Sequence, residues 1–141
     1  MIKIRSAELY DNDRIFELLG HLASSRVPDR VAFDESFPFV INDDNSYLQL
    51  AHDGGLVLGY SLAVLQWVFY ANGPILVLHE IIVDPAYRGQ GIGKALVESL
   101  INDAQQAGAT EITVPTRRAK AFYPKFGFEE VAGYFSLKIE A

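Results

Sequence analysis

The alternation of apolar and polar positions divides the chain into a single series of helices and strands. Apolar residues at helical spacing predict amphipathic helices over residues 11–24 and 91–107, and Gly108 suits the C-terminal cap of the second. A helical region at 27–41 is interrupted by prolines. Apolar stretches predict strands at 1–7, 47–52, 56–70, 75–83, 111–115 and 130–139, with a short helix at 118–126. Since no repeat or linker divides this series, we expect one mixed α+β domain over residues 1–141.

The longest uncharged stretch, residues 56–79, is long enough to cross a bilayer. However, Asn72-Gly73-Pro74 interrupts it, and strand-forming residues dominate on both sides. The pattern therefore predicts two antiparallel strands joined at 72–74 and no membrane partner. The basic residues near the N-terminus precede no apolar run, so we expect neither a signal peptide nor an anchor, and a cytoplasmic location.

Composition and charge limit the chemistry that the chain can perform. The 141 residues include no cysteine, three scattered histidines, and 18 acidic against 12 basic residues, for a net charge of −6. Disulfides and thiolate nucleophiles are thereby excluded, and we expect no metal centre. The negative charge also argues against a nucleic-acid partner, because phosphate binding needs clustered Lys and Arg. A small or cationic partner is favoured.

A glycine-rich segment, 88–94, joins the strand at 75–83 to the helix at 91–107. Glycines at a helix N-terminus let backbone N–H groups approach an anion, and Arg88 and Lys94 add positive charge. A tight turn with solvated charges is the structural alternative. A phosphate-binding Walker loop would need Ser or Thr where Ala95 stands, and a dinucleotide fingerprint would need a different glycine spacing. Neither kind of nucleotide site fits, which disfavours a nucleotide-binding regulator.

Two motifs in residues 78–128 together resemble a known family. The first is Arg-x-x-Gly-x-Gly at Arg88, Gly91 and Gly93, preceded by Val-Asp-Pro. The second, Ala-x-x-Phe-Tyr-x-x-x-Gly-Phe, occupies 119–128. The pair is similar to the acetyl-CoA-binding elements of the GNAT superfamily of N-acetyltransferases. This resemblance implies a twisted, mostly antiparallel sheet of about six to seven strands, flanked by about four helices, with a splayed parallel pair that holds acyl-CoA.

The resemblance also implies how the acyl donor binds, between the diverging strands at 78–83 and 111–115. The backbone of Ile81 and Val83 would pair with the pantetheine arm, and the amides of 88–94 would hold the pyrophosphate. An unpaired strand edge is physically suited to this role, because the arm carries peptide-like amides. Thr116 stands where the family often has Asn, which leaves one cofactor contact open. The implied cofactor-binding residues are Ile81, Ile82, Val83, Arg88, Gly89, Gln90, Gly91, Ile92, Gly93, Lys94, Thr116 and Phe122.

Acyl transfer to an amine needs a base, a polarised thioester carbonyl and an acid for the leaving thiolate. We expect Glu80 to be the base, directly or through water; a solvent-facing or ion-paired carboxylate is the alternative. The resemblance assigns the acid to Tyr123, with a packing role as the alternative, and carbonyl polarisation to the Val83 N–H. Because side chains alternate along a strand, His79 is predicted to face away from Glu80, in or near the core.

The acceptor is predicted to be a small primary amine, bound by the first two helices and the hairpin at 56–74. Acidic side chains in the first half of the chain could attract an amine, and aromatic ones could form a wall, but surface charge and core packing are the structural alternatives for these residues and are favoured. A protein amine remains the alternative acceptor, and a non-catalytic acyl-CoA sensor is the alternative function. A homodimer through the C-terminal strand is also open, although an internal strand explains that segment equally well.

Overall fold

In the computed structural model, which describes residues 1–22, 26–115, 121–131, 133 and 135–139, five strands form one sheet in chain order. They are β1 (Lys3–Ser6), β2 (Ser46–Asp53), β3 (Leu56–Val68), β4 (Gly73–Val83) and β5 (Glu111–Thr113). Strands β1 to β4 are antiparallel, and β5 joins β4 in parallel. The expected mixed architecture is confirmed, although the described residues hold five strands where six to seven were expected.

Three α-helices cover the two faces of the sheet in the described part of the chain, one fewer than expected. They are α1 (Asn12–Leu19), α2 (Arg30–Asn42) and α3 (Ile92–Gln106). The Asp29 carboxylate accepts a hydrogen bond from the Ala32 N–H and so begins α2, which continues through Pro38. After α3, Gly108 adopts a positive φ of 73°, as its predicted capping role requires.

The uncharged stretch forms the β3–β4 hairpin, as predicted. The two strands pair from Gly59↔Val83 to Val68↔Gly73, and Asn72 takes the left-handed conformation in the turn between them. Alternate side chains of this hairpin are buried on opposite faces of the sheet, which explains why the sequence carries no charge here. Among the described residues, no helix is long and apolar enough to cross a membrane.

The apolar core lies in two layers, one on each face of the sheet. The layer under α1 and α2 contains Ile15, Leu18, Phe37, Leu48, Leu50, Val57, Tyr60 and Ile82. The layer under α3 contains Ala51, Leu58, Ala63, Leu76, Leu78, Ile92, Leu96, Leu100, Ala104 and Tyr123. Burial of these side chains fixes the sheet between its helices and holds the C-terminal half of β4 rigidly in place.

The C-terminal predictions are only partly met. Residues 116–120, where the predicted helix at 118–126 begins, lie outside the described residues, and Tyr123–Phe126 form a single 3₁₀ turn. The strand predicted at 130–139 is wrong for its described residues, which pair with no strand of the described sheet. Phe135, for example, is 97% exposed. The alternation of Phe135, Leu137 and Ile139 with polar residues suits a strand, but a strand also needs a hydrogen-bonded neighbour.

Candidate functional site

Strands β4 and β5 run together only briefly and then diverge. Their parallel pairing extends from Ile75↔Glu111 to Val77↔Thr113. Beyond it, residues 78–83 of β4 have no described strand on that side of the sheet. This divergence leaves the second half of β4 with an open edge.

The open edge presents unpaired backbone groups of two residues. The Asp84 N–H donates to the Leu58 carbonyl at 2.8 Å, so Asp84 is bonded towards β3. Since backbone groups point alternately to the two sides of a strand, those of Ile82 also face β3, whereas those of Ile81 and Val83 face the open edge. The Ile82 side chain is buried under α1 and α2. Of these three predicted cofactor-binding residues, Ile81 and Val83 therefore offer hydrogen-bonding groups to a ligand.

A β-bulge interrupts β4 at His79. Leu78 pairs with Ala63 and Glu80 with Leu62, so His79 is an extra residue that has no cross-strand partner on β3. Leu78 and Ile81 both pack in the layer under α3, although side chains three positions apart would face opposite ways in a regular strand. His79 and Glu80 consequently both face the side of α1 and α2. The prediction that His79 faces away from Glu80 into the core is wrong, and its side chain is exposed.

Glu80 is half-buried and held by a tyrosine on the neighbouring strand. The Tyr60 hydroxyl donates a hydrogen bond of 2.7 Å to Glu80 Oε1, and Tyr60 is only 1% exposed. Burial, together with the negative charge of Glu80, raises the pKa of Tyr60 far above its ordinary value. The hydroxyl therefore remains a donor at any physiological pH. Sequence reasoning missed Tyr60, because only the register of β3 against β4 brings the two side chains together.

The glycine-rich segment forms an exposed loop at the N-terminus of α3. Gly89 and Gly91 both have a φ of 81°, which residues with a Cβ rarely adopt. The loop opens the first turn of α3, where backbone N–H groups have no partner within the helix. Arg88 and Lys94 are exposed and form no ion pair with another described residue. These features are the ones that suit a loop to anion binding. Gln90 is exposed within it, whereas the buried Ile92 offers only its backbone.

The second motif packs directly against this loop. A Cβ placed on Gly93 would lie 3.2 Å from the Phe122 ring and 3.9 Å from a methyl group of Val83. A side chain at Gly93 would therefore require the Phe122 ring to shift by a few tenths of an ångström, whereas Gly89 and Gly91 are favoured by their backbone conformation. Two motifs about thirty residues apart in sequence thus meet at the end of β4.

Tyr123 lies in an aromatic cluster beside the open edge. Its ring stands at 5.2 Å from Phe122 and 5.7 Å from Phe128, both in edge-to-face geometry. The residue is buried, and burial raises the pKa of its hydroxyl. Tyr123 belongs to the layer under α3, whereas Glu80 faces α1 and α2. Thr116, the remaining predicted cofactor residue, lies outside the described residues.

A cleft of about 1210 Å³ lies beside β5, where its pairing with β4 ends. Val77 and His79 border it on β4, Thr113 on β5, and Tyr123 and Phe128 on the second motif. Such a volume accommodates a small-molecule ligand. The cleft extends from His79 at the bulge, one residue before Glu80, to Tyr123 in the aromatic cluster.

Comparisons with known proteins agree on one family. The family model described as acetyltransferase (GNAT) family matches residues 12–128. The chain is 30% identical, over 132 residues, to the aminoalkylphosphonate N-acetyltransferase of Salmonella typhimurium, covering 91% of this chain and 85% of that protein. It is 33% identical, over 98 residues, to the [ribosomal protein bS18]-alanine N-acetyltransferase of Escherichia coli, covering 65% and 62%.

The fold is also that of solved acetyltransferases. The structure of aminoglycoside N-acetyltransferase AAC(6')-Iy in complex with CoA superimposes with a TM-score of 0.85, covering 100% of this chain and 96% of that one at 18% identity. The chain belongs to the acetyltransferase (GNAT) family. It is an acyl-CoA-dependent N-acetyltransferase, as its two motifs predicted.

Proposed function

We propose that the enzyme transfers an acetyl group from acetyl-CoA to the primary amine of a small molecule. The observation that carries the proposal is the open β4 edge, which ends beside the glycine-rich loop, together with a cleft that borders the same strand at Val77 and His79. Together they match the three parts of an acyl-CoA, namely a chain of amides, a pyrophosphate and a reactive thioester.

The donor would lie along β4 with its pyrophosphate at the loop. The exposed backbone groups of Ile81 and Val83 supply hydrogen bonds to the amides of the arm. The N–H groups of the first turn of α3, with Arg88 and Lys94, supply positive potential to the pyrophosphate. Phe122 and Val83 both lie close to Gly93, which holds the beginning of α3 near the strand edge.

In the reaction, Glu80 removes a proton from the incoming ammonium, either directly or through water. The neutral amine then attacks the thioester carbonyl, whose oxygen accepts a hydrogen bond from the Val83 N–H. The carbon–nitrogen bond forms as the carbon–sulfur bond breaks, and Tyr123 protonates the departing thiolate. The amide nitrogen then gives up its extra proton, which restores the Tyr123 phenol through water, and Glu80 returns its proton to solvent. Burial raises the pKa of Tyr123, so the phenol is protonated before the thiolate forms, although the same shift makes it a weaker acid.

A small acceptor is favoured by the similarity to an aminoalkylphosphonate N-acetyltransferase over most of both chains. The cleft volume is consistent with such a molecule. A protein amine is the second candidate, because the similar Escherichia coli protein is named for a ribosomal protein. An amine panel and a set of peptide N-termini, assayed side by side for released CoA, separate the two.

Donor binding is tested by thermal denaturation with acetyl-CoA, using ATP and NAD as controls. At a hundredfold excess over Kd, one site stabilises the native state by about 2.7 kcal/mol. For a chain of this size we expect a Tm increase of several degrees with acetyl-CoA alone. An unchanged Tm with acetyl-CoA would contradict the proposed function at its first step.

Catalysis is tested by Glu80→Gln and Tyr123→Phe. Each should lower kcat by at least about a hundredfold while the Kd for acetyl-CoA changes little. Glu98→Gln, on an exposed surface of α3, is the control for the first variant. Tyr47→Phe, which removes a phenol that packs partly buried on the same cluster as Tyr123, is the control for the second. Full turnover by both catalytic-site variants would indicate different catalytic groups, and donor binding without turnover on any amine would indicate an acyl-CoA sensor.

A further inference from the structure

We propose that Arg14, on α1, is a positioning residue that fixes the acetyl-CoA-binding loop in its binding conformation. The inference rests on the proposed function, because it assigns the loop to acetyl-CoA. It concerns a side chain outside both sequence motifs, and Arg14 itself need not touch the ligand.

The Arg14 guanidinium connects three elements of the fold. Its Nε and Nη2 donate to the Val57 carbonyl at 3.0 and 2.7 Å, at the beginning of β3. Nη2 also donates to Asp84 Oδ2 at 2.7 Å, immediately after β4, and Nη1 pairs with Glu17 on α1 itself. The planar fork of an arginine suits such a junction, because it presents several donors in fixed directions.

Asp84 transmits this anchoring to the loop. Its second carboxylate oxygen, Oδ1, accepts a hydrogen bond from the Ala86 N–H at 2.9 Å. Its backbone N–H donates to Leu58, and its carbonyl accepts from the Tyr87 N–H at 2.9 Å. The hydrogen bond from Arg14 is the largest of the effects that lower the pKa of Asp84. Asp84 therefore remains an anion that holds the turn Pro85–Tyr87, from which the glycine loop continues.

The loop depends on anchors at its two ends. Between them, Arg88 to Gly91 are exposed, and Gly89 and Gly91 have backbone conformations that a side chain would disfavour. At the far end, the buried side chain of Ile92 fixes α3 in the core. At the near end, hydrogen bonds centred on Asp84 perform this function. Without Arg14, Asp84 Oδ2 loses the hydrogen bond from the guanidinium. The turn Pro85–Tyr87 is then free to change its angle to β4.

A purely architectural role for Arg14 predicts a different result from a positioning role. Helix α1 is already held by Ile15 and Leu18, which are buried in the core, so the fold should survive removal of the guanidinium. If Arg14 only stabilised α1, its loss would lower Tm and leave donor binding by the folded protein unchanged. If it positions the loop, donor affinity falls in protein that remains folded.

The test compares Arg14→Ala, Arg14→Lys and Asp84→Asn with Arg30→Ala. Arg30 is a matched control, since it also pairs with two carboxylates, Asp13 and Asp34, but lies on α2 away from the loop. The Kd for acetyl-CoA is measured by calorimetry, below the Tm of each variant. The KM values for donor and amine are measured in parallel.

We expect Arg14→Ala to weaken acetyl-CoA binding by about tenfold, with a smaller loss for Arg14→Lys and wild-type affinity for Arg30→Ala. The amine KM should change little. The double variant of Arg14→Ala with Asp84→Asn should bind no more weakly than the weaker single variant, because both changes break the same contact.

Wild-type donor affinity in folded Arg14→Ala, or fully additive losses in the double variant, would overturn the positioning role. Absence of acetyl-CoA binding by the wild-type protein would instead overturn the proposed function.

Discussion

Replacement of Tyr60 by phenylalanine isolates the contact that holds Glu80. The change removes one oxygen atom, which lies 2.7 Å from Glu80 Oε1, and keeps the aromatic ring in place. Since Tyr60 is 1% exposed and packs among apolar residues, the phenylalanine ring fills the same space and creates no large cavity. The measured effect therefore reports the hydrogen bond itself.

The expected magnitude follows from the charge and exposure of the acceptor. A hydrogen bond to an ionised group contributes about 1.5–3 kcal/mol to stability. Glu80 is half-buried and water can partly replace the lost donor, so we expect the lower end of this range, about 1.5 kcal/mol. For a domain of this length that corresponds to a Tm decrease of about 3–5 °C. With Glu80 less firmly oriented, kcat should also fall, by about tenfold, without a matching change in the KM for acetyl-CoA.

Urea denaturation followed by fluorescence measures the stability change, and an unaltered m-value verifies that the unfolding transition remains comparable. Tyr47→Phe is the reference variant and should remain within about 0.5 kcal/mol of wild type. If Tyr60→Phe is as stable and as active as Tyr47→Phe, the Tyr60–Glu80 hydrogen bond contributes nothing measurable and the reasoning fails.

Three further substitutions test other parts of the fold by urea denaturation. Burial raises the pKa of Asp11, but the hydrogen bonds from Arg5 and the Glu8 N–H outweigh it and hold that pKa below its usual range. Asp11→Asn should therefore cost about 2 kcal/mol at pH 7. The difference from wild type should begin to diminish as the pH falls below about 4, where Asp11 of the unfolded state becomes protonated, and should vanish once the native carboxylate is also protonated at lower pH; a pH-independent difference would contradict the ion pair. Gly59→Ala should cost about 1–3 kcal/mol, because the added Cβ would lie 2.5 Å from the Ile82 carbonyl oxygen; an unchanged midpoint would show that the strands can separate. Burial raises the pKa of Asp103, so Asp103→Asn should be neutral or stabilising at pH 7, and a clear loss of stability would mean that the charge is needed.

Much of the fold could be predicted because its signals are local. The helical periodicity of α3, the glycine that caps it and the turn at Asn72 are all encoded within a few residues. The two motifs likewise identified the loop and the Phe122–Tyr123 segment. The resemblance predicted that these two segments lie close together in space. The packing of Phe122 on Gly93 gives the physical reason for this proximity.

The remaining features depend on pairing between distant segments. The bulge at His79 exists only in relation to the register of β3, so simple alternation assigned its side chain to the wrong face. Tyr60 is an ordinary core aromatic by pattern, and only the same register reveals its bond to Glu80. The apolar alternation around Phe135 failed for a related reason, since a strand pattern specifies which faces are apolar and leaves the neighbour unspecified.

The order of strands in the sheet has a consequence for how the enzyme folds. Short turns join β2 to β3 and β3 to β4, whereas β5 reaches β4 only after the chain has passed through α3. Local pairings close small loops and form quickly, while the parallel crossover must close a longer one. We therefore expect pulse-labelling hydrogen exchange to show protected amides in the β3–β4 hairpin before β5 gains protection. The cleft beside β5, whose walls need both β4 and β5, would then mature only after the hairpin has formed.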